Sequence, residues 1–77
     1  MPQFFFDVTD SSYDPDPIGT ELPDVYAAQA EAVRASGGML RDVGARFWNN
    51  PEWFTEVKDE AHRRLFTLRM SGKEHGT

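Results

Sequence analysis

Residues 53–70 read WFTEVKDEAHRRLFTLRM, and this stretch decides the fold. In residues 53–58, Trp53 and Val57 fall on one face at the two-residue period of an extended strand. In residues 63–70, Phe66, Leu68 and Met70 share a face in the same way. Residues Asp59 to His62, three of the four polar, separate the two runs. Two alternating segments around a short polar turn predict an antiparallel hairpin.

Working back from the hairpin, Asn49-Asn50-Pro51 marks the end of a helix, because the residue before a proline avoids the α region. The helix itself is expected over residues 24–47. Pro23 precedes it, and the Asp24 carboxylate is suited to accept one of the backbone N–H groups left open at a helix start. Thr20 is a second candidate cap. Val25, Ala28, Ala32, Ala35, Met39, Val43 and Phe47 recur at three- and four-residue steps and form one apolar stripe. Gly37 and Gly38 interrupt it, each costing ~1 kcal/mol relative to Ala, and are a point where the helix can bend.

The N-terminal segment QFFFDVT, residues 3–9, is rich in the aromatic and β-branched residues that suit a pleated surface. Phe4, Phe6 and Val8 are the expected core face, with Phe5, Asp7 and Thr9 opposite. Residues 10–19, with Pro15, Pro17 and Gly19, carry turn chemistry, and a short strand around Ile18 to Leu22 is able to pair back on the first. The sum is an α+β domain: a small antiparallel sheet with one long helix packed on a face, in the order strand, short strand, helix, strand, strand. Residues 1–70 are expected to form the single domain and residues 71–77 a disordered tail.

These elements in this order resemble a family of short bacterial proteins. The shared features are the opening FFFDV, the GTELPD helix start, the Ala-rich AAQAEAVRA and the WFTEVKDE…LFTLRM hairpin. The family is catalogued only as a domain of unknown function, so the resemblance implies a fold and no activity. The chain departs from it at the hairpin turn, where Ala61-His62 stand in place of a glycine that often follows the Asp-Glu pair.

A chain of 77 residues makes one small domain, and 39% hydrophobic content with 13% aromatics indicates a packed core rather than disorder. A domain this short buries only ~60% of the surface its unfolded chain exposes. There is no cysteine, so neither a disulfide nor a thiolate zinc site is available to staple it. Cysteine absence fits a cytoplasmic protein; no signal peptide and no membrane span is expected.

The net charge is −5, and residues 1–24 hold six acidic residues and no Lys or Arg. General nucleic-acid binding needs a basic patch and is therefore disfavoured. Its best local candidates are Arg63, Arg64 and Arg69 on the hairpin, interleaved with aromatics. In the acidic segment, Asp10, Ser12, Asp14 and Glu21 fall at the first, third, fifth and twelfth places of a calcium loop. Pro15 occupies the sixth place, where a glycine turn is needed. The segment is thus read as a polar turn leading to a helix cap, with a divalent-cation loop as an alternative.

His62 and His75 are the only histidines, and no serine stands in an activated-nucleophile motif. No catalytic, cofactor-binding or metal-ligating residue is assigned, and no enzyme activity is expected. The reading that remains is geometric. A helix over 24–47 would run ~36 Å, against ~20 Å for a six-residue strand. Met39, Leu40, Val43, Phe47 and Trp48 would then overhang the sheet, while Phe5, Phe54 and Leu65 occupy its outer face. Large uncovered apolar patches mark interfaces. The expectation is a non-enzymatic protein-interaction or regulatory module, a homodimer through these residues, with an unidentified protein partner also open.

Overall fold

A computed structural model describes residues 1–10 and 12–76. Strand β1, Gln3–Thr9, lies inside the sheet, with the two-residue strands β2, Tyr13–Asp14, and β3, Thr20–Glu21, along one side of it. Strand β4, Glu52–Lys58, pairs with its other side, and β5, Arg64–Ser71, lies beyond β4. Every pairing is antiparallel. The α+β architecture is the one expected, with β2 added to it.

The two faces follow from the register. Phe6 stands opposite Val57 and Val8 opposite Thr55, while Trp53, Thr55 and Val57 face Met70, Leu68 and Phe66. Directly opposed residues share a face. Phe4, Phe6, Trp53, Val57, Phe66 and Leu68 therefore form one apolar surface, as their spacing predicts. The helix α1, Val25–Val43, packs on it. Asp24 caps the helix, its Oδ1 accepting the Ala27 N–H at 2.8 Å.

Three points about the helix, one left open and two in need of correction, are decided by the structure. It runs unbroken through Gly37-Gly38. It stops at Val43 rather than 47, because Gly44 takes a positive φ of 55° and donates its N–H to the Leu40 carbonyl. Glycine alone visits that region without a steric penalty. A 3-10 turn, Gly44–Asn49, then carries the chain to Pro51. At 19 residues the helix is ~28 Å long, close to the ~24 Å of the seven-residue β4. The 3-10 turn folds Phe47 back until its ring meets Trp53 edge-on at 5.7 Å, so Phe47 lies against the sheet rather than beyond it.

The third point concerns the buried face, which is Ala28, Ala32 and Ser36, not Ala35. Small side chains let the helix approach the sheet closely. Ser36 is tolerated there because its hydroxyl lies 3.0 Å from that of Thr55, and both residues are 1% exposed. A buried polar group must find such a partner.

The hairpin turn is built by Asp59. Its Oδ1 accepts the N–H groups of Ala61 and Arg63, both at 2.9 Å, and His62 adopts φ 62°, the left-handed conformation that a three-residue turn requires. Beyond the turn, Leu65 forms a bulge between the Val57–Phe66 and Lys58–Arg64 pairs. The ladder continues one residue past the expected domain end, to Ser71, and Gly72 donates its N–H to the Pro51 carbonyl at 2.9 Å. No helix is long and apolar enough to cross a membrane among the described residues.

Candidate functional site

The outer face of the sheet is organised around Asp7. Although it points away from the helix, it is only 5% exposed, because β2 and the acidic loop close over it. Its Oδ2 meets the Lys58 ammonium at 2.8 Å and accepts the Tyr13 hydroxyl at 3.0 Å, while its Oδ1 accepts the Asp16 N–H at 2.9 Å. Burial pushes the Asp7 carboxyl up, but Lys58, the Asp16 N–H and Tyr13 together outweigh it and hold the group below its ordinary value. The same hydrogen bond to Asp7 raises Lys58. Asp7 thus pins the acidic loop to the sheet. A lone Asp inside an aromatic strand was the available sign of this, but nothing local named Lys58 as its partner.

The acidic loop spends its carboxylates on its own backbone. Asp16 Oδ1 accepts from Ile18 and Gly19 at 3.1 Å each, and its Oδ2 accepts the Phe6 N–H at 3.2 Å. It thereby fills the stretch of β1 edge between β2 and β3. Asp10 Oδ1 accepts the Ser12 N–H at 2.8 Å. Of the calcium-loop set, Asp14 stands opposite Val8 and Glu21 opposite Gln3. Five residues of strand, ~17 Å, separate those positions, so Asp14 and Glu21 are not gathered around one ion. Among the described residues, no group of three or more His, Cys, Asp or Glu is placed to hold a metal ion.

The hairpin arginines are each engaged by a carboxylate. Arg63 pairs with Asp59 at 2.9 Å, Arg64 with Glu56 at 3.0 Å, and Arg69 with Glu52. Arg69 also lies 5.9 Å from the centre of the Phe54 ring. The backbone N–H of Arg63 is the main reason the Asp59 carboxyl sits below its ordinary value. These guanidiniums lie back over the sheet beside acidic neighbours, which is not the unopposed basic strip that phosphates seek.

The apolar candidates divide into three groups. Phe5 and Phe54 are half-buried on the outer face, Phe5 with its ring 5.7 Å from that of His62. Leu65, on the bulge, is 40% exposed. Met39 and Val43 are half-buried along a groove of about 560 Å³ that they share with Phe6, Val8 and Trp53. Leu40 and Phe47 border a second groove with Met70, beside Trp48, which is 48% exposed. The structure does not unite these eight residues in one patch.

Spacing alone did not reveal the most coherent uncovered surface. The helix packs most closely on β4, and Phe66, Leu68 and Met70 on β5 are only half-buried. No strand pairs with the far side of β5 among the described residues. A groove of about 260 Å³ runs between this edge and α1, lined by Ala32, Val33, Phe66 and Leu68, and Val33 is 61% exposed. An open strand edge beside an apolar row is chemically a template for another strand.

Searches of curated proteins and of solved structures found no match. A family model described as a domain of unknown function, DUF6894, matches residues 3–71, nearly the whole chain. The match spans every strand and the helix just described, and the chain belongs to that family.

Proposed function

We propose that this chain is a non-enzymatic interaction module that works as a homodimer. The observation that carries the reading is the open β5 edge beside the half-buried row Phe66, Leu68 and Met70. A domain of this size has little core to spare, and its buried hydrophobic residues are Phe4, Ala28, Ala32, Trp53 and Val57. Covering a further apolar row by association is a common remedy. Asp7 and Lys58, the charged pair most enclosed by the fold, spend their hydrogen bonds on each other, Tyr13 and Asp16, which suits a structural clamp better than proton transfer. A chain without cysteine needs no oxidising compartment, and the cytoplasm is the location proposed for it.

The test is the mass of the full chain in solution from low to high micromolar concentration, by sedimentation or light scattering. Twice the chain mass of 8.8 kDa is expected. A monomer across the whole range would refute the proposal.

A further inference from the structure

We infer that two copies join β5 to β5 in antiparallel fashion about a two-fold axis at Leu68, making one sheet continuous through both. This rests on the homodimer reading and specifies its surface. The hydrogen-bonding direction of β5 supplies the register. Because the Gly72 N–H points to Pro51 on the β4 side, the even-numbered residues Phe66, Leu68 and Met70 also direct their backbone groups toward β4. Thr67 and Arg69 therefore direct theirs outward, past the last strand.

Antiparallel self-pairing that keeps like faces together must centre on one residue. Centring on Arg69 would set two guanidiniums opposite each other. Centring on Thr67 would bring the Leu65 bulge into the new ladder opposite Arg69 and leave Met70 without an apolar partner, because Arg64 lies on the outer face with Glu56. Centring on Leu68 opposes Leu68 to Leu68, Phe66 to Met70, and Thr67 to Arg69. The apolar row then meets itself completely, and no like charges are opposed along the strand. Thr67 and Arg69 of each copy exchange main-chain hydrogen bonds with Arg69 and Thr67 of the other. Charged residues commonly guard a sheet edge, but here Glu56 and Glu52 hold Arg64 and Arg69 back over the outer face. Both helices would lie on the same face of the joined sheet, with Val33 of each bordering the apolar groove above Phe66 and Leu68.

The register is tested by single cysteines in a chain that has none. At the axis, Leu68 and its copy form a non-hydrogen-bonded pair with Cα atoms ~4.5 Å apart, within disulfide reach. Leu68→Cys should yield a covalent dimer under mild oxidation, and Phe66→Cys, which faces Met70, should not. Thr67→Pro removes an outward N–H without touching the β4 ladder. It should keep the wild-type circular dichroism and weaken dimerisation at least about tenfold. A wild-type dimer that Thr67→Pro leaves intact, or that Leu68→Cys does not link, overturns the β5 pairing and leaves the homodimer standing. A wild-type monomer overturns both.

Discussion

The buried hydroxyl pair of Ser36 and Thr55 makes a sharp prediction about what holds the helix on the sheet. Thr55→Val keeps the shape of the side chain and replaces its hydroxyl with a methyl group. Ser36 Oγ, 3.0 Å away in a site 1% exposed, then loses its partner with no water to replace it. Leaving a buried polar group unsatisfied costs about 1–3 kcal/mol. For a domain of this size each kcal/mol lowers the melting temperature by about 4–8 °C, so a fall on the order of 5–20 °C is expected. Ser36→Ala strands the Thr55 hydroxyl and should cost a similar amount. The double variant removes both polar groups and should lie within about 1 kcal/mol of the wild type. The assay is urea unfolding of all four proteins at one fixed protein concentration, so that any association affects each alike. Single losses of this size with a near-neutral double variant imply a coupling of at least about 1 kcal/mol between the two sites. Additive losses, with coupling below about 0.5 kcal/mol, would refute the reasoning. They would mean that each hydroxyl has another acceptor, such as the helix carbonyl four residues before Ser36.

Other perturbations follow from the same structure. His62→Gly should raise stability by up to about 1 kcal/mol, since the residue sits at φ 62°. A loss instead would show that the contact of its ring with Phe5 matters more than the backbone strain. Gly37→Ala should add about 1 kcal/mol in urea titration, because a Cβ there meets nothing within 4 Å and the helix is continuous. Destabilisation would mean that the helix depends on that glycine. Asp16→Ala removes the acceptor of three backbone N–H groups and should speed amide exchange at Ile18 and Gly19, with a loss of about 1–3 kcal/mol; unchanged exchange would count against the loop's carboxylate scaffold. Asp7 and Asp59 are both lowered from 3.8, so the stability they contribute is complete above that value and lost as pH falls through their lower folded values. Lys58 is raised from 10.5, so its share is complete below that pH and lost as pH rises through the higher folded value. Asp7→Asn should flatten both limbs of the stability profile and Asp59→Asn only the acid one; an alkaline limb that survives Asp7→Asn would contradict the pairing.

Some features of this protein were determined by the sequence alone because they depend on near neighbours. Phe4, Phe6 and Val8 alternate with Phe5, Asp7 and Thr9, and a two-residue period assigns faces wherever the strand ends up. Asp24 after Pro23 marks a helix start, since the capping carboxylate bonds three residues along the same chain. The hairpin is legible for the same reason. The tertiary structure decided whatever depends on residues distant in the chain. Ser36 is buried in preference to Ala35 because Thr55 waits across the interface. Asp7 survives burial because Lys58, carried in by the hairpin, stands 2.8 Å away. The helix stops at Gly44, although a Gly-Gly pair seven residues earlier is the stronger breaker in isolation; packing on the sheet sustains the helix through that pair, and the positive φ of Gly44 ends it. The candidate interface moved for the same reason. Apolar periodicity marks which residues seek cover, while the position of α1 on the sheet decides which of them, Phe66, Leu68 and Met70 beside the open edge, are left only half covered.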